Sequence, residues 1–176
     1  SALLIGSGMS GEGFLQVLQS KPNQGLQFLN RAAHYLQDSS TIEYIQNVIR
    51  KMMTYIYLFD LETGINEYEQ ALKIDHPELK TDKGKLIISS LQNAAALTFV
   101  LAGKYQEAET TANQSTETAL VFQNPSIRIE NEFTLGLCFY YQGKYKKALQ
   151  HLNMAIHIAE NQYYWHFILE SLAITS

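Results

Sequence analysis

With 176 residues, 46% of them hydrophobic and only 17% charged, the chain can bury the core of one compact domain or one short solenoid. Its net charge is −4 and its 13 Lys and Arg are scattered, so it lacks the basic stripe that direct DNA or RNA binding requires. The single cysteine excludes an internal disulfide and fits a reducing, cytoplasmic setting; within Leu135-Gly-Leu-Cys-Phe139, Cys138 reads as a small buried hydrophobe rather than a nucleophile.

Residues 1–13, centred on Gly6-Ser-Gly-Met-Ser-Gly11, have the composition of a flexible leader. No Lys-Ser or Lys-Thr follows, as a phosphate loop would need, and no basic start marks a signal peptide. From residue 14 to 176 a single repeat domain is expected. Apolar residues spaced by three and four predict helices over about 12–20, 25–37, 42–62, 65–75, 83–102, 104–122, 126–142, 144–161 and 164–175. The mixed-charge segment from Asp75 to Gly84, with Pro77 inside it, is a loop between hairpins. The apolar stretch from Ala94 to Ala102 has about half the length a bilayer crossing needs, so no membrane segment is expected. At the far end Asn161 to Ala173 aligns with Asn124 to Gly136 and has no following helix. Tyr164, Phe167, Ile168 and Leu172 therefore need cover, and a homodimer through this C-terminal helix would supply it.

Internal repetition organises the pattern. Gly103-Lys-Tyr-Gln-Glu-Ala108 returns as Gly143-Lys-Tyr-Lys-Lys-Ala148, with Phe99 and Phe139 four residues before each glycine. A weaker copy carries Tyr68 and Ala71, with Gly64 out of step. A fourth echo pairs Leu26 to His34 with Leu149 to His157. In the clearest unit Asn124-Pro125-Ser126 starts a helix, Gly143 breaks it, and Tyr145, Ala148, Leu152, Ala155 and Ala159 form the buried face of a second helix.

Leu135-Gly136, Phe139, Gly143, Tyr145, Ala148, Leu152 and Ala155 resemble the tetratricopeptide repeat (TPR), with every spacing of that family's pattern met. Ala95-Ala96, Phe99, Gly103, Tyr105, Ala108 and Ala112 match it next best, and Ser115 then departs. The family's proline after the second helix is replaced by Glu160. The resemblance implies an all-α fold: a right-handed superhelix of antiparallel helix pairs, a TPR-like α-solenoid. The period of 40, longer than the usual 34, is similar to that of bacterial peptide-sensing regulators.

No assembled catalytic site emerges, and neither a cofactor nor a metal is expected. His151 and His157 are six apart and face different ways on a helix, and no cysteine or carboxylate cluster accompanies them. The pairs Glu107/Glu109 and Glu130/Glu132 diverge for the same reason. The resemblance implies instead a concave wall made by the first helix of each unit, which holds an extended peptide or a partner helix. Carried over by spacing, the binding residues are Asn93, Leu97 and Val100 on one helix and Phe133, Leu137, Tyr140 and Tyr141 on the next. Ser90, Leu101 and Glu130 stand at neighbouring exposed positions. The Asn93 side chain would grip a peptide backbone, and the apolar residues would select its side chains. A sensor or interaction module of a bacterial regulatory protein is thus the expected function, with a passive scaffold or oligomerisation array as the alternative.

Overall fold

The computed structural model describes residues 1–162, and among them the regular structure is entirely helical. Eight α-helices follow one another: α1 (Ala2–Leu18), α2 (Pro22–Leu36), α3 (Thr41–Leu58), α4 (Leu61–Ala71), α5 (Asp82–Leu101), α6 (Tyr105–Val121), α7 (Pro125–Tyr141) and α8 (Tyr145–Gln162). A short 3-10 turn, Pro77–Lys80, precedes α5. The helix expected at about 164–175, with the proposed dimer face, lies outside the described residues.

Local chemistry sets the helix starts. Ser40, Asp60, Thr81 and Asn124 each accept a backbone N–H from the first turn of the helix that follows, satisfying one of the free amides there. Pro22 and Pro125 occupy first-turn positions, where a missing N–H costs nothing. A carboxylate from elsewhere caps α3 as well: Glu78 Oε2 accepts from the Thr41 and Ile42 amides at 2.8 and 3.2 Å. The loop between hairpins is thereby strapped to the start of α3.

The turn within each hairpin is the same in all four units. Ser20, Phe59, Gly103 and Gly143 adopt left-handed backbone with φ between 57° and 74°. Each donates its N–H to the carbonyl three residues back, and the next residue donates to the carbonyl five back (Val17 and Gln16, Ile56 and Tyr55, Val100 and Phe99, Tyr140 and Phe139). These four residues define the register of the repeat. Gly64, seemingly out of step, falls into line with Gly25, Ala108 and Ala148, each five residues past its turn.

The leader expected over residues 1–13 is instead most of helix α1, the first helix of the first hairpin. Glycine and serine are poor helix formers, but here they let two backbones close together. Gly6 and Gly13 are buried against α2, and the buried Ser10 hydroxyl accepts from Arg50 of α3 at 2.8 Å. A Cβ on Gly25 would lie 2.6 Å from the Gly13 carbonyl oxygen. Tertiary packing overrides the local preference.

Helices pair as α1/α2, α3/α4, α5/α6 and α7/α8, and each second helix also touches the first helix of the next pair. The first helices α1, α3, α5 and α7 contact one another in sequence, whereas no two of α2, α4, α6 and α8 do. An array tighter on one side than the other must curve, with its first helices on the inside. Helix α5 lies at the centre, packed by α3, α4, α6 and α7. By length and composition alone α5 could cross a bilayer, but 61% of its apolar window is buried inside the protein, as in a core helix. Its Leu91, Ala95 and Phe99 join Ile45, Val48 and Met52 of α3 in the main core, where Tyr68 meets Phe99 edge to face at 6.0 Å.

Candidate functional site

On the inner side, α5 forms the floor of a groove whose walls are α3 and α7. The groove has two adjoining parts, each of about 370 Å³. The part toward the helix starts is lined by Ile42 and Glu43, Lys83 and Leu86, and Ser126 and Ile127. The other carries the larger apolar side chains, with Ile49 and Met53 on one wall, Ala94 and Leu97 on the floor and Phe133 on the opposite wall, beside the polar Asn93 and Thr134. Gln46, Ser90 and Glu130 line both parts and so form the waist between them.

Position along the helices explains this lining. Ile42, Gln46, Ile49 and Met53 are spaced by four, three and four, one inward stripe of α3. Leu86, Ser90, Ala94 and Leu97 make the equivalent stripe on α5, and Ser126, Glu130 and Phe133 the one on α7.

The Glu130 carboxylate is half-buried in the α7 wall, and no hydrogen bond or ion pair reaches it among the described residues. Burial alone pushes its pKa up to about 6, because a charge removed from water without a partner is disfavoured. Gln46, across the groove, likewise has no hydrogen-bond partner among the described residues, while the Ser90 hydroxyl donates to the Leu86 carbonyl at 3.3 Å.

Of the residues expected to bind, Leu97 and Phe133 line the groove. Asn93 lines it too, but its amide is already committed: Nδ2 donates to Asn131 Oδ1 at 2.8 Å and approaches the Thr134 hydroxyl at 3.5 Å. It continues a buried polar lattice in which Asn131 Nδ2 donates to Ser115 Oγ and Ser115 bonds Ser89. The Nδ2 end of the amide expected to grip a peptide backbone is therefore held inside the fold, and the Gln46 amide lines the same groove. Val100 is 2% exposed and belongs to the core, not the inner surface. Leu137 is partly buried against that core. Tyr140 and Tyr141 are exposed at the turn end of α7, edge to face at 5.7 Å, and line neither part of the groove.

Gln46, Ile49 and Met53 went unrecognised because the α3 hairpin has phenylalanine where the repeat pattern asks for a turn glycine. Its 3–4 stripe was legible, but not the register needed to orient it.

Elsewhere the polar clusters serve packing. His151 pairs with Glu132 at 2.8 Å and stacks on Phe139 at 5.2 Å. Lys51 pairs with Glu67 between α3 and α4. Cys138 is buried, its thiol donating to the Tyr105 carbonyl, and burial raises its pKa. Among the described residues no three His, Cys, Asp or Glu side chains are grouped to hold a metal ion.

No family model matches the chain, and comparison with curated proteins finds no relative. Solved structures do match, among them the apo form of RapI, at a TM-score of 0.68 and 19% identity. The match covers 93% of this chain but 45% of RapI, so the chain spans less than half the length of that neighbour. At this identity the likeness speaks for the fold: the chain is a TPR-like helical repeat similar in architecture to RapI.

Proposed function

We propose that this chain is a peptide- or partner-binding module, the sensor or interaction part of a bacterial regulatory protein acting in the cytoplasm, and that it works through the groove floored by α5. The observation that carries this reading is the groove's composition. An amide, a hydroxyl and a carboxylate form its waist, and an apolar trough of Ile49, Met53, Leu97 and Phe133 continues from it. Polar groups that can pair with a peptide backbone, beside apolar sites that take side chains, suit an extended polypeptide. A catalytic role is not part of the proposal. Self-association through the C-terminal segment that follows α8 is, and light scattering showing a monomer at every concentration would remove it.

The test is an array of eight-residue peptides of varied sequence, probed with the parent and with Ser90→Trp, whose indole would fill the groove at its waist. Peptides captured by the parent should be lost by Ser90→Trp and kept by Tyr141→Ala at the outer turn. Capture unchanged by Ser90→Trp would place the working surface elsewhere and favour the scaffold alternative.

A further inference from the structure

We infer that the waist of the groove is a cation subsite, in which Glu130 receives the side-chain cation of a lysine or arginine lying within an extended, otherwise apolar peptide. The inference rests on the groove reading above and names the ligand chemistry it selects.

Three observations converge. The Glu130 carboxylate is half-buried without a partner among the described residues, an arrangement that costs stability and that a ligand cation would relieve. Among the described residues no cation relieves it. Lys83 is the one basic residue among those lining either part of the groove, it lies in the part away from the apolar trough, and burial alone governs the Glu130 carboxyl. Finally, Gln46 lines the same waist, where its carbonyl can accept an N–H that the carboxylate leaves over.

Position decides between a side chain and a terminal ammonium. The groove continues on both sides of Glu130, toward Ile42 and Leu86 in one direction and toward Met53 and Leu97 in the other. A chain threaded along it has its middle, not its end, beside the carboxylate. The apolar trough then takes the neighbouring side chains, so the selected sequence is a basic residue followed or preceded by large apolar ones.

The experiment measures fluorescence anisotropy with labelled eight-residue peptides selected from the array, each in three forms: the arginine parent, the same peptide with citrulline, and the same peptide N-acetylated. Citrulline keeps the shape and loses the charge. It should weaken binding roughly tenfold or more, the scale of a charge-assisted hydrogen bond in a half-desolvated site. Acetylation should change little, and Glu130→Gln should bind the arginine and citrulline forms equally. Equal binding of both forms by the parent, with binding still lost in Ser90→Trp, would overturn the cation subsite and leave the groove reading intact. Loss on acetylation instead would overturn the side-chain assignment in favour of a peptide terminus. Binding that survives Ser90→Trp would overturn the groove reading itself.

Discussion

The two halves of the molecule build the same helical hairpin from different residues. In the α7/α8 hairpin the turn is glycine, Gly143, and the crossing is made by one glycine, Gly136, receiving Leu152. In the α1/α2 hairpin the turn is Ser20 and the crossing sets Gly13 against Gly25, backbone on backbone, while the α3/α4 hairpin turns on Phe59. Gly13 and Gly136 occupy the same place, seven residues before the turn, as do Leu29 and Leu152, nine after it. The lesson is that the fold demands a close approach and a left-handed turn, not particular residues. Family-like residues meet that demand without strain, and the first half meets it at a cost.

The crossing should show the largest difference. A Cβ on Gly25 would lie 2.5 Å from Val17 Cγ2 and 2.6 Å from the Gly13 carbonyl, so α1 and α2 would have to separate. We expect Gly25→Ala to cost about 3 kcal/mol or more. A Cβ on Gly136 meets the Leu152 side chain at 2.6 Å and the Leu152 backbone nitrogen no closer than 3.4 Å, so Gly136→Ala should cost about 1–3 kcal/mol because a side chain can turn aside. Hydrogen exchange read hairpin by hairpin is the measurement, since repeat arrays open locally. Equal costs, or the reverse order, would break the comparison.

The buried asparagines come next. Asn47 on α3 and Asn131 on α7 both stand twelve residues before their turns and both reach back to the preceding second helix. Asn131 uses both ends of its amide, joining Ser115 and Asn93, whereas Asn47 donates to the Leu29 carbonyl and leaves its Oδ1 unpaired. Denaturant unfolding should find Asn131→Ala destabilising by about 2–3 kcal/mol and Asn47→Ala by about 1 kcal/mol. Matching values would mean that the lattice adds nothing beyond single bonds.

Glu130 sharpens the comparison where the halves meet at the groove. Its pKa stands at about 6 when folded and 4.5 is its ordinary value, so between these pH values the folded protein holds more of the proton than the unfolded chain. Stability from this group is present below about pH 4.5 and is lost as pH rises through 6. Glu130→Gln should therefore stabilise the protein at pH 7 by about 1–2 kcal/mol, a gain absent at pH 4. Thermal melts at the two pH values decide it, and a variant no more stable at pH 7 would show that the carboxylate has a partner.

The turns should give the smallest effect. Phe59 is 88% exposed at φ 57°, so Phe59→Gly removes left-handed strain and sacrifices little burial. A gain of about 1 kcal/mol is expected, and Gly143→Ala should lose a similar amount. Opposite signs in the two hairpins would confirm that the first half tolerates strain that the second avoids.

Much of the fold was legible. The 3–4 spacing, the Asn124-Pro125-Ser126 start and the Gly103 and Gly143 repeats carry the hairpins and most of their boundaries, because each depends on neighbours along one helix. Helix α1 was not legible, since Gly6, Ser10 and Gly13 favour coil until α2 and α3 lie against them. The candidate site was half legible. Leu97 and Phe133 face the groove as their spacing implies, but Val100 turns inward and the Asn93 amide is taken by Asn131. By itself the sequence determined the stack of antiparallel pairs, and its resemblance to the repeat family implied that the first helix of each pair lies on the inside. Only the tertiary structure decided which residues of α3, α5 and α7 meet across the groove. A helix such as α5, buried on several sides, has apolar residues nearly all around it, and the neighbour each face receives depends on how successive hairpins rotate as they pack.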